Sequence, residues 1–96
     1  MWLEPDTDPV IEAGRQVWLG TCIRCHAGGL AGAPPIGDHT AWGPRITQGL
    51  PVLLEHALGG FEGPTGSEMP ARGGNDALDD GQVTAAVRFM VKRSGG

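Results

Sequence analysis

Cys22-Ile23-Arg24-Cys25-His26 decides how the rest of this 96-residue chain is read. Two thiols three positions apart on a turn of helix can reach the two vinyl groups on one side of a porphyrin. The imidazole that follows at once is then placed to bind the iron from one face. The run has the spacing of a c-type haem attachment site, with Cys22 and Cys25 as the covalent links and His26 as the first axial ligand. Three other uses of the same cysteines fit less well. A structural zinc site needs four ligands, and the chain has no second cysteine pair. A thioredoxin-like redox pair follows a strand in a βαβ unit, and no strand pattern is present. A disulfide across so short a loop would constrain little.

Working outward from the motif, helix signals alternate with long breaks. Asp8-Pro9 is a helix start, with Asp8 as N-cap and Pro9 in the first helical position. Val10, Gly14, Val17 and Trp18 recur on one helical face, which is expected to end near Gly20. Residues 1–8 read as a loose lead-in. From Ala27 to Pro51 the chain is rich in Gly and Pro, with at most a short turn of helix around Asp38–Trp42. Pro51 opens a second helix that Gly59-Gly60 closes. Loop is expected again from Phe61 to Ala77. Asp79 with Gln82 has the spacing of a capping box for a last helix, whose stripe is Val83, Ala86, Val87 and Met90 and which ends in Lys92-Arg93.

Composition agrees with a fold assembled around a prosthetic group. Gly numbers 17 and Pro 8, which limits regular structure, yet 40% of the residues are hydrophobic, too many for a disordered chain. A domain this small has a thin apolar core, and loops this long in a compact unit make sense when they wrap and are held by a flat ligand. The reading is one domain over residues 1–96. The net charge of −4 argues against nucleic acid and suits partners with basic docking patches. No apolar run approaches the roughly 18–20 residues that cross a bilayer, and Met1-Trp2-Leu3-Glu4-Pro5-Asp6 lacks the basic and apolar stretches of a signal peptide. A monomer is expected.

The second axial ligand sets the chemistry of a haem iron. Met1, Met69, Met90, His39 and His56 are the candidates. Met90 belongs to the apolar stripe of the last helix, Met1 is terminal, and His56 sits beside Glu55 on a helix. Met69 lies in Ser67-Glu68-Met69-Pro70, within a Gly/Pro loop that has no apolar periodicity of its own. Once a haem is in place Met69 is favoured, with His39 in the first long loop as its rival.

With Cys22, Cys25, His26 and Met69 in that order, the chain resembles the class I cytochromes c, and among them the small bacterial cytochrome c-five group. The resemblance runs through Gly14-x-x-x-Trp18, Gly32-Ala33-Pro34 and Trp42-Gly43-Pro44-Arg45-Ile46. It continues in Met69-Pro70-Ala71-Arg72-Gly73-Gly74-Asn75 and Ala85-Ala86-Val87-Arg88-Phe89-Met90. It implies an all-α, cytochrome c-like fold of three main helices plus short helical turns and long loops around one haem c. Gly14 would let the first helix cross the last closely, with Trp18 and Phe89 packed at the crossing. Pro34, or else Pro35, would offer its carbonyl to the His26 ring. Arg45 and the Trp42 indole would hydrogen-bond a haem propionate. Some members of the group carry a second cysteine pair after the ligand loop; Asn75 and Leu78 stand at the corresponding places here. The resemblance further implies maturation outside the bacterial cytoplasm, in the periplasm, and a carrier that passes single electrons between donor and acceptor proteins without being an enzyme. The alternatives are a haem module with a displaceable sixth ligand, for peroxide or gas chemistry, and a haem domain of a larger redox enzyme.

Overall fold

A computed structural model describes residues 4–26, 35–62 and 68–95. Helix α1 spans Pro9–Val17, and the Asp8 carboxylate accepts from the Val10 N–H at 2.9 Å. The chain does not stop near Gly20. It widens into a π-turn over Trp18–Cys22, with the Ile23 N–H donating to the Trp18 carbonyl, and then continues as α2, Ile23–His26. Gly20 is exposed and nothing lies within contact distance of its missing side chain, so packing places no break there. Turns of π-helix are rare and tend to occur at functional positions; this one ends on Cys22.

Helix α3, His39–Thr47, is longer than the short turn expected from sequence. Asp38 caps it by accepting from the Ala41 N–H at 3.0 Å. Pro44 lies inside, and the carbonyl it leaves without an intrahelical donor belongs to exposed Thr40, where water can serve it. Helix α4, Leu50–Gly59, starts with Pro51 in its first turn and ends at Gly60, whose φ is 87°. A two-residue antiparallel ladder follows, pairing β1 (Phe61–Glu62) with β2 (Glu68–Met69), so that Phe61 faces Met69 across it. Sequence gave no strand signal here, because a ladder this short depends on the ends of a loop meeting rather than on alternation. A 3-10 turn, Ala71–Gly74, leads to α5, Asp80–Arg93, which carries both halves of the capping box: the Gln82 N–H donates to the Asp79 carboxylate at 2.7 Å and the Asp79 N–H to the Gln82 side chain at 2.9 Å. The architecture is all-α apart from that ladder, with two helical segments, α3 and the extended α1–α2 run, longer than anticipated.

Helices α1 and α5 cross at Gly14 and Ala85, and the Trp18 and Phe89 rings pack beside the crossing with centroids 5.7 Å apart at 59°. Both rings are fully buried. The face of α1 is rotated from the expected one: Val10 is 52% exposed, and Ile11 packs on the core in its place. Val10 falls in the first turn, ahead of the crossing. Around the crossing gather Ile36, Trp42, Ala57, Val83, Val87 and Met90.

The lead-in is not loose over residues 4–8. Asp6 accepts from Lys92 Nζ at 2.9 Å and Arg93 Nη2 at 3.4 Å, and its own N–H donates to Glu12 at 2.8 Å. The Arg93 guanidinium also donates to the Glu4 carbonyl at 3.0 Å and lies 5.1 Å from the centre of the Phe89 ring. These contacts tie the start of the described chain to the end of α5, a pairing of residues too far apart in sequence for any local pattern to reveal.

Candidate functional site

Cys22 closes the π-turn and is half-buried against the core. Four residues later His26 ends α2 with only 6% of its surface exposed. Its carbonyl accepts from the Ile36 N–H at 2.6 Å, and its ring stands 6.1 Å from that of buried Trp42, tilted by 39°. A neutral imidazole is a common ligand of haem iron, and the position of His26 directly after the cysteine run suits that use. The Cys25 side chain and Pro34 lie outside the described residues.

Met69 arrives from the other half of the chain. It ends β2, packs against the core cluster, and lines the same apolar crevice as Cys22. Ala57 of α4, Arg72, Gly73 and Leu78 of the following loop, and Val83, Ala86, Val87 and Met90 of α5 form the other walls. Gly60 makes the approach of this loop possible, since a Cβ there would stand 3.1 Å from the Met69 carbonyl and 3.2 Å from the Ala71 nitrogen. Among the other candidate ligands, Met90 borders the crevice but is a 3% exposed core residue, whereas His39 is exposed at the first turn of α3 and His56 sits half-buried on α4; none of the three histidines, His26 included, lines the crevice. Among the described residues no three His, Cys, Asp or Glu side chains gather as a metal site of their own.

Trp42 and Arg45 have partners within the protein. The Trp42 indole N–H donates to the Pro35 carbonyl at 2.8 Å, and Arg45 Nη1 donates to the carbonyl of Ala41 on its own helix at 2.6 Å. Neither residue lines the Cys22–Met69 crevice. The Trp42 bond holds the segment after the motif against α3, which fixes Ile36 where it meets the His26 carbonyl.

Several contacts around the crevice had no signal in the sequence. Thr21, 6% exposed, accepts from Asn75 Nδ2 at 3.1 Å. Arg72 has φ 55°, the positive value that side chains other than glycine seldom adopt, and its guanidinium donates to the Leu78 carbonyl at 3.0 Å and pairs with Asp80. Asn75 and Leu78, the positions where the resemblance placed a cysteine pair, are instead joined by a turn in which the Leu78 N–H donates to the Asn75 carbonyl at 3.2 Å.

The residues present fit a c-type haem. A thiol on a rare π-turn, a buried imidazole just beyond it and a thioether on an opposing loop are the donor types that such a group takes, and the crevice between the thiol and the thioether is apolar. Among the described residues no helix is long and apolar enough to cross a membrane.

Known proteins point the same way. Residues 9–90 match the family described as cytochrome c oxidase, cbb3-type, subunit III. The cytochrome c-555 of Chlorobaculum tepidum is 45% identical over 82 residues, which cover 85% of this chain and 75% of that one. Cytochrome c5 of Azotobacter vinelandii is 34% identical over 80 residues, covering 81% and 90%. The chain also superposes on the cytochrome c in a crystal structure of an electron transfer complex of nitrite reductase with cytochrome c, with a TM-score of 0.76 and 38% identity over 93% of this chain and 99% of that one. The motif, the helix crossing and these likenesses converge: the chain belongs to the class I cytochrome c family, as a small monohaem member whose cofactor is haem c and whose work is electron transfer.

Proposed function

We propose that Cys22 and Cys25 bond the haem, that His26 and Met69 are its two axial ligands, and that the chain passes single electrons between a donor and an acceptor protein in the periplasm. The observation that carries Met69 is its convergence with Cys22 on one apolar crevice from opposite halves of the chain, and His26 rests on its place in the cysteine run. When bound, haem supplies a one-electron Fe(III)/Fe(II) couple.

The chain's own residues then hold, tune and shield. His26 and Met69 would both hold the iron, which would leave no place for oxygen or peroxide and favours carrying over catalysis. A thioether ligand raises the reduction potential, and the walls formed by Leu78, Val83 and Val87 disfavour the more highly charged oxidised form. Arg45 and Trp42 are the propionate-side residues of this reading; to serve there, each would add a contact to, or exchange one with, the carbonyls of Ala41 and Pro35. Pro34 is the residue assigned to orient the His26 ring, since the Pro35 carbonyl already accepts from both the Trp42 indole and the Asp38 N–H.

Partners are redox proteins, docking through a small and transient contact. The net charge of −4, with exposed Glu55, Asp76, Asp79 and Asp80, favours a partner surface rich in Lys and Arg. The nitrite reductase bound to the similar cytochrome c supports an acceptor of this general kind. A single chain suffices as the working unit.

The test is spectroscopic. The oxidised protein should show the weak absorption band at the red edge of the spectrum that marks a methionine–iron bond, and Met69→Ala should remove it. High-spin iron in the unaltered protein, binding carbon monoxide readily on reduction, would overturn the assignment.

A further inference from the structure

Met69 sits in a loop whose own apolar content is slight, yet its neighbours are held at two points. At the first, the Thr21 hydroxyl accepts from Asn75 Nδ2 at 3.1 Å. Thr21 is buried and immediately precedes Cys22, so this one hydrogen bond joins the motif segment to the loop that carries Met69. The backbones are close enough for it because position 73 has no side chain: a Cβ on Gly73 would stand 2.9 Å from Thr21 Cγ2. At the second, the Arg72 guanidinium spans from the loop to the Leu78 carbonyl at 3.0 Å and to the Asp80 carboxylate in the first turn of α5. Arg72 keeps φ 55° to do so, a conformation that costs any residue except glycine. A strained backbone persists where the surroundings over-determine it, and here they close a loop from 72 to 80.

We propose that Thr21, Asn75 and Arg72 form a non-covalent latch that positions Met69 and sets how rarely its loop opens. The inference rests on Met69 as axial ligand. Closing the latch lowers the fraction of molecules in which an outside ligand can take the place of Met69, and the apparent affinity for such a ligand scales with that fraction. Arg72, Asn75 and Thr21 are positioning residues that act by holding the loop, and Arg72 also lines the crevice beside Met69.

The experiment titrates the oxidised, haem-loaded protein with imidazole, alongside thermal unfolding. Thr21→Val removes the hydroxyl at constant shape, and Thr21→Ser retains it. Arg72→Gly removes the guanidinium while suiting φ 55°. Thr21→Val should bind imidazole about tenfold more tightly, the loss of one hydrogen bond expressed as loop opening, and Arg72→Gly, which loses the bonds to both Leu78 and Asp80 while relieving φ 55°, should also bind it more tightly. Thr21→Ser should return the affinity to within about twofold of the unaltered protein. If Arg72→Gly fails to fold, the Thr21 pair and Asn75→Ala decide alone. Affinities unchanged in a protein that shows the methionine band would overturn the latch and leave Met69 ligation standing. Absence of the band from the unaltered protein would overturn both.

Discussion

The backbone of Gly14 on α1 meets the carbonyl of Ala85 on α5 so closely that a Cβ on Gly14 would lie 1.9 Å from the Ala85 oxygen and 2.4 Å from its carbonyl carbon. Backbone, unlike a flexible side chain, cannot swing aside. The two helices therefore touch at this point only because residue 14 is glycine, and the Trp18–Phe89 contact depends on that approach.

Gly14→Ala should separate α1 from α5 and destabilise the haem-loaded protein by about 1–3 kcal/mol or more, despite the better helix propensity of alanine. Denaturant unfolding checks it, and a loss below about 0.5 kcal/mol would show that the crossing is looser than the structure has it.

Asp6 makes the clasp between the first residues described and α5 dependent on acid. The Lys92 ammonium, the Asp8 amide and the Arg93 guanidinium favour its charged form and lower its pKa from 3.8 to about 2. A carboxyl whose pKa falls on folding stabilises the fold above its unfolded value and loses that contribution as pH drops through its folded value. Asp6→Asn should thus lower the melting temperature at neutral pH, and the gap to the unaltered protein should narrow between about pH 4 and about pH 2. A gap that is constant across this range would exclude the charge as its cause.

Trp42→Phe keeps an aromatic ring but removes the shorter of the two bonds to the Pro35 carbonyl, leaving that from the Asp38 N–H at 3.2 Å. Loss of this bond and of some buried area should cost about 1–3 kcal/mol. Equal stability of the variant in chemical unfolding would mean that the bond contributes nothing to holding the segment after His26.

Cys22→Ala combined with Cys25→Ala should leave the chain largely unfolded in the absence of covalently attached haem. A domain this small has a thin apolar core, and 17 glycines raise the entropy lost on folding. Far-ultraviolet circular dichroism through a temperature ramp is the measurement, and a cooperative transition from native-like helix content would refute the expectation.

Features that depend on neighbours a few residues apart were readable in the chain before it folded. Cys22 to His26 carries its chemistry in its spacing, Asp8-Pro9 and Asp79 with Gln82 announce helix starts through bonds to nearby amides, and the stripe from Val83 to Met90 follows from helix period. Gly14, Trp18 and Phe89 were legible as a crossing through family likeness. The tertiary structure alone decided the rest. Helix α3 runs through Pro44 because exposure lets water serve a carbonyl, and the π-turn arises from how α1 leads into the motif. Trp42 found Pro35, Asp6 found Lys92, and Asn75 found Thr21 only when distant segments met. No local rule encodes those pairs, because the strength of each depends on burial and approach that the fold creates. Met69 stands between the two: its loop marked it as unusual, but its place beside Cys22 was set by Gly60, Arg72 and the walls of α5.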